Sequence, residues 1–110
     1  MTLIELNQLL KATGLPVAYS HFRNTESLSP PSPPFITYLE LDSNNFYADN
    51  KTYKQVRNVN IELYTNKKDL EAESKIENLL DSNDIPYETT PTEWIESEKL
   101  FQKIYEIGVI

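Results

Sequence analysis

The chain has 110 residues, with 10 Lys and Arg against 17 Asp and Glu, for a formal net charge of −7. That length fits one domain, and the acidic balance argues against a nucleic-acid-binding module held by phosphate neutralisation. With no cysteine and one histidine, disulfides, thiolate chemistry and Cys- or His-rich zinc sites are excluded.

Thr2 and Glu5 form a T-x-x-E capping box. Leu3, Leu6, Leu9 and Leu10 then recur at helical spacing, and Gly14 and Pro16 follow as stop signals. The expected element is a short amphipathic helix over residues 2–13, which must pack on something to be stable. Val17 to Phe22 has strand content. Residues 23–34 end in Ser-Pro-Pro-Ser-Pro-Pro, which forbids a helix or a central strand. Only about 22 residues precede this stretch, too few for a domain. It therefore reads as a long Pro-rich loop inside a single domain spanning 1–110.

Residues 35–42 read as a strand with Phe35, Thr37, Leu39 and Leu41 on one face. Residues 43–53 read as a connection or short ribbon, with turn chemistry at Ser43 to Asn45. Residues 54–65 form the next strand, with Val59, Ile61 and Leu63 sharing a face, paired antiparallel with the strand before. Asn66 or Asp69 can cap a helix running to about residue 83, with Ala72, Ile76, Leu79 and Leu80 inward. Residues 86–90 are a short strand, 91–96 a turn carrying Trp94, and 98–110 a final strand. In that last strand Phe101, Lys103, Tyr105, Ile107 and Val109 lie on one face. The order α-β-β-β-α-β-β predicts an α+β fold, a mostly antiparallel sheet of four to five strands with two helices packed on one face.

The charge is unevenly placed. Residues 1–67 hold six basic and six acidic residues, whereas 68–110 hold four basic and eleven acidic. Such a run usually marks a solvated acidic face, and it also suits a surface that repels DNA or matches a basic partner. No apolar run approaches the ~20 residues needed to cross a bilayer, and Met1 to Leu10 lacks the basic start of a signal peptide. No membrane role is expected.

Catalytic constellations are weak. His21 has no Ser/Asp order or metal partner that would make it a general base. Glu40 and Asp42 could imitate a paired-carboxylate or hard-metal site, but two acids two residues apart on a strand are also what a solvent face contains. Two glycines, Gly14 and Gly108, cannot build a phosphate loop. Lys51, Lys54 and Arg57 form a small acid-free basic run near Tyr53. Trp94 reads as a core plug below the last strand or an interface anchor, the core plug being the safer reading. No enzyme activity and no cofactor are expected.

Surfaces carry more. Opposite Leu39 and Leu41 stand Ile36 and Tyr38, and opposite Ile107 and Val109 stand Leu100 and Ile104. Two short helices cover one side of a sheet, so clustered apolar positions on the other side point to self-association. The candidate interface comprises Ile36, Tyr38, Leu100 and Ile104. To these are added Pro30, Pro31, Pro33 and Pro34 of the Pro-rich loop and Tyr47 and Tyr53, tyrosine being favoured at interfaces.

Five further segments carry a resemblance. They are the Leu3–Leu10 helix leading into Leu15-Pro16-Val17-Ala18-Tyr19, the run PPSPPFITY over 30–38, Val59 to Thr65 before Lys67-Lys68-Asp69, Ile85-Pro86-Tyr87, and the closing Tyr105-Glu106-Ile107. In this order, nearly end to end, the chain resembles small tail-completion proteins of long-tailed bacteriophages of Gram-positive hosts. That group includes tail terminators and tail-to-head joining proteins. The resemblance implies a homohexameric ring on the head-proximal end of the tail tube, in the virion, with the host cytoplasm as its location before assembly. Its implied partners are other copies of itself, the tail tube protein and the head connector protein. DNA would pass through the ring without being specifically bound. Loops 23–34 and 43–53 would order on joining, and an acidic lumen would let DNA slide. Two other classes stay open: a small α+β ligand-binding or regulatory oligomer with a concave pocket, and a small enzyme using Glu40, Asp42 and His21.

Overall fold

A computed structural model describes residues 2–22, 31–48 and 51–109, with the backbone alone for 42–57 and 109. Helix α1 (Leu3–Lys11) opens on the capping box expected of it. Thr2 Oγ1 accepts the Glu5 amide at 3.1 Å, and Glu5 Oε1 accepts the Thr2 amide at 3.3 Å. Each bond satisfies an amide that the first helical turn leaves without a partner. Beyond its end Gly14 takes φ +82°, a left-handed conformation that glycine adopts without steric cost. Helix α2 (Leu70–Ser82) is capped by Asp69, whose Oδ1 accepts the Ala72 amide at 3.0 Å.

The strands are β1 (Val17–Tyr19), β2 (Phe35–Ala48), β3 (Lys51–Thr65), β4 (Tyr87–Thr89), β5 (Glu93–Ile95) and β6 (Leu100–Val109). They form one six-stranded sheet in the order β1-β2-β3-β6-β4, with β5 also paired to β6. The fold is α+β, and its element order is the expected one with an extra short strand.

Three features of the sheet differ from expectation. First, β1 runs parallel to β2. Parallel neighbours need a long crossover, and the fifteen residues 20–34 between the two strands supply it. Second, the expected turn around Trp94 contains β5, and Trp94 is exposed there rather than plugging the core. Residues 96–99 make the tight connection instead, with the Lys99 amide donating to the Glu96 carbonyl at 3.3 Å. Third, β2 and β3 continue through most of 43–53, where a connection was expected, and stay paired to Ala48↔Lys51. Strand β6 meets β3 only from Arg57 onward, and β1 meets β2 only at 36–38. The outer part of β2–β3 is therefore a two-stranded arm extending past the rest of the sheet.

Both helices pack on one face. The core is Leu6 and Leu10 of α1, Ala72, Ile76 and Leu80 of α2, and the strand positions Ile36, Tyr38, Val59, Ile61, Leu63, Tyr105 and Ile107, with Ile85. The facing of β2 is opposite to expectation. Register sets Ile36 against Leu63 and Tyr38 against Ile61, so the even positions of β2 join the helix-covered side. Ile36 is 0% exposed and Tyr38 6%; neither is free to form the interface expected of them. The Tyr38 hydroxyl is satisfied inside, accepting from Asn7 Nδ2 at 3.0 Å. The odd positions Phe35, Leu39 and Leu41 lie on the other face. Both faces of this strand are apolar, so periodicity could not choose between them, and pairing with β3 did.

The helix layer is also tied to the sheet by charge. Glu73 of α2, buried against β6, pairs with Lys103 at 2.8 Å and with Lys68 at 2.8 Å. Burial alone would push its carboxyl up. The hydrogen bonds and charges of Lys103 and Lys68 outweigh burial and hold it below the usual carboxylate range. The fully buried Tyr105 donates from its hydroxyl to Glu77 Oε2 at 2.7 Å, and burial pushes its own ionisation far up.

Candidate interaction surface

The face that the helices leave uncovered is built mainly from alternate residues of four strands. β2 contributes Phe35, Thr37, Leu39 and Leu41, and β3 contributes Asn60, Glu62 and Tyr64. β6 contributes Leu100, Gln102, Ile104 and Glu106, and β5 adds Ile95. At its centre the polar groups satisfy one another. Thr37 Oγ1 donates to Glu62 Oε1 at 2.9 Å. Gln102 Nε2 donates to Glu62 Oε2 at 3.3 Å and to the Tyr64 hydroxyl at 2.9 Å. Burial and the neighbouring Glu62 raise the Tyr64 hydroxyl above its ordinary value, so it remains a protonated, uncharged group.

At one end this network borders an aromatic groove of about 460 Å³, walled by His21, Phe22, Phe35, Tyr64, Ile95 and Leu100. Phe35 stacks on Tyr64 at 5.1 Å and 24°, and Phe22 meets Phe35 edge-on at 5.4 Å. At the other end, by the base of the arm, lies a second depression of about 610 Å³ between Leu41, Asn60, Pro86, Glu88 and Glu106. There the Asn60 Oδ1 is buried with no hydrogen-bond partner.

The expected interface residues are divided by this geometry. Leu100 and Ile104 are half-buried on the uncovered face, while Ile36 and Tyr38 belong to the core. Pro31, Pro33 and Pro34 are half-buried at the entrance to β2. Pro30 lies outside the described residues. Tyr47 and Tyr53 fall in the β2–β3 arm, and their side chains lie outside the described part. Phe35, Leu39, Leu41, Tyr64 and Phe22 were missed as surface candidates. The odd-position run of β2 is their signal, readable only once the even positions are known to be covered.

Two of the three residues of the catalytic alternative are not brought together. His21 sits on the groove of the uncovered face, whereas Glu40 falls by register on the helix-covered side; the Asp42 side chain lies outside the described part. Among the described residues no group of three or more His, Cys, Asp or Glu is placed to hold a metal ion. No helix among them is long and apolar enough to cross a membrane.

These features define a small α+β domain with one sheet face packed under helices and the other open, apolar and acidic. Compared with known proteins, the chain matches no family model and no curated sequence.

Proposed function

We propose that the chain is a structural subunit that assembles with its own copies into a closed ring, and that this ring caps a bacteriophage tail tube and takes part in joining it to the head. The observation that carries the self-assembly is the uncovered sheet face. Phe35, Leu39, Leu41, Tyr64, Leu100 and Ile104 cluster on one side of a sheet whose helices all lie on the other. Clusters of this kind mark interaction sites more often than isolated surface apolars do. The two ends of the sheet differ, β1 at one edge and β4 at the other. Dissimilar surfaces suit head-to-tail contacts, which close into rings when the rotation allows. The tail-tube assignment draws on the resemblance of the five sequence segments. In that role the partners are the tube protein below and the head connector above, with DNA passing through the centre.

The test is removal of the gene from a phage that carries it. Full heads beside overlong or unattached tails are expected, and normal infectious particles refute the assignment. A second reading, a small ligand-binding oligomer, is favoured by the aromatic groove beside His21. It predicts that the purified protein holds a small molecule there at stoichiometric occupancy, detectable by native mass spectrometry.

A further inference from the structure

Strand register sorts the charges of the uncovered face by sign. The ionisable residues that the described strands place there are Glu62 on β3, Glu88 on β4, Glu93 on β5 and Glu106 on β6. All are acidic, and where β3 is flanked by β6 no Lys or Arg shares this face among the described strand positions; the one basic position of the same parity on β3, Lys54, lies out in the arm. Glu88 stands directly across from Glu106 on antiparallel neighbours, an arrangement that costs stability. Next in the same row Asn60 pairs with Glu106, and its Oδ1 is the buried acceptor without a donor. Three neighbouring strands thus present acceptors in a line beside the depression that holds Leu41 and Pro86. A partner that brings cationic donors would answer all of them.

The chain itself contains such a partner. The arm strands 43–48 and 51–57 carry Lys51, Lys54 and Arg57 and, with Asp49 between them, the stretch 43–57 is net +2 on a chain that is otherwise net −9. Among the described residues no third strand pairs with the arm beyond the reach of β1 and β6, and an isolated two-stranded ribbon is marginal in water. Six residues at about 3.3 Å each give it a reach of roughly 20 Å. That is the width of about four strands at their ~4.8 Å spacing, enough to cross the face from β2 to β4.

We propose that the β2–β3 arm of one copy lies across the acidic uncovered face of the next, its net positive charge answering the row Glu88, Glu106 and Asn60. The contact is head-to-tail, joining an arm to a face, so each copy offers one of each and a ring leaves neither unmatched. Opposite charges also set the direction of docking, since arm on arm and face on face are repelled.

The inference rests on the self-assembly reading, and charge reversal separates the two. One variant carries K51E, K54E and R57E; the other carries E62K, E88K and E106K. Circular dichroism is the check that each folds, and mass is read by size exclusion with light scattering. The wild type is expected at an assembled mass and each variant alone at the monomer mass. An equimolar mixture of the two variants should recover the assembled mass at 1:1 composition, because each then meets an arm and a face of opposite sign. A wild type that stays monomeric at every concentration and salt overturns both the assembly reading and this inference. A wild type that assembles while both variants assemble equally well overturns this inference alone. So does a mixture of two folded monomeric variants that remains monomeric. If one variant fails to fold, the E88K/E106K pair replaces the face variant and R57E alone replaces the arm variant, with the same outcomes.

Discussion

Replacing Glu73 by alanine probes how the helix layer is held to the sheet. Glu73 is 8% exposed and its partner Lys103 17%. Their 2.8 Å bond links the middle of α2 to β6, and Lys68, half-exposed, completes the site at 2.8 Å. Removing one member of a buried pair costs about 3–5 kcal/mol, because the other charge stays buried without compensation. Here Lys103 keeps Glu77 at 3.9 Å and some access to water, and Lys68 can turn to solvent. The expected loss is therefore about 2–3 kcal/mol, scaled down from that range. For a domain of this size it lowers Tm by roughly 10 °C. Converting both partners to apolar residues, Glu73→Leu with Lys103→Met, should recover most of the loss, since a well-packed apolar pair is often no less stable than a buried ion pair. Urea unfolding of the wild type, two single variants and the double variant gives the coupling directly. The pH dependence provides a second check. The Glu73 carboxyl lies below its ordinary value in the folded state, so its contribution is complete above the unfolded value of about 4.3. It is lost as pH falls through the lower, folded value. The wild type should lose stability more steeply below pH ~4 than the double variant does. A Glu73→Ala cost under about 0.5 kcal/mol, as at an exposed pair, refutes the reasoning, as does a double variant no more stable than Glu73→Ala.

Further outcomes follow from the same geometry. Ile36→Asp, which puts an unpaired charge at a fully buried position, should abolish cooperative unfolding or cost more than about 4 kcal/mol. Leu41→Asp, at a site 47% exposed, should change monomer stability by about 0.5 kcal/mol or less; equal costs in denaturant melts would mean the facing of β2 is wrong. Thr2→Ala removes the hydroxyl that caps α1 and should cost about 1 kcal/mol, measured as a lowered urea midpoint with an unchanged slope. Tyr105→Phe breaks the bond to Glu77 and should cost about 1–2 kcal/mol at neutral pH. Because burial raises the folded ionisation of Tyr105, the native hydroxyl's contribution is complete below pH ~10 and lost above it. The alkaline limb of the stability profile should be flatter in the variant, and an unchanged limb would count against this assignment.

How far the fold was legible in the sequence depended on whether the signal was local. Thr2 and Glu5 announce α1 by a bond pattern complete within four residues, and Ala72, Ile76 and Leu80 announce α2 by spacing alone. Strand β6 was legible because Tyr105 and Ile107 share one parity on either side of the polar Glu106. Strand β2 was not, because Phe35 to Leu41 is apolar at both parities and only its pairing with Leu63 and Ile61 decides which residues are inside. The parallel pairing of β1 and β2 has no local signature, since it depends on where a fifteen-residue crossover returns. Residues 43–48 are rich in Asn and Ser, poor strand formers, yet pair with β3 back to its first residue. Strand preference yields there to the partner strand. The candidate surface inherited these limits. Leu100 and Ile104 were found through β6, whereas Ile36 and Tyr38 stood in for Phe35, Leu39 and Leu41 through β2.

The net charge of −7 divides into two populations with different physics. Glu73 and Glu77 sit on the helix side and are answered within the fold by Lys68, Lys103 and the Tyr105 hydroxyl. Glu88, Glu93 and Glu106 are exposed on strands of the uncovered face, with no cation at the strand positions beside them. Salt separates the two. At physiological ionic strength exposed charges are screened beyond about 8 Å, and at 1 M beyond about 3 Å, whereas buried pairs are screened much less. Raising salt should therefore leave the Glu73 contribution to unfolding nearly unchanged, while it relieves the Glu88–Glu106 repulsion and weakens any docking of a cationic arm. Salt titration read in parallel by unfolding and by light scattering should show assembly falling as monomer stability holds or rises slightly. If assembly and stability fall together, the acids of the uncovered face serve the fold rather than a partner.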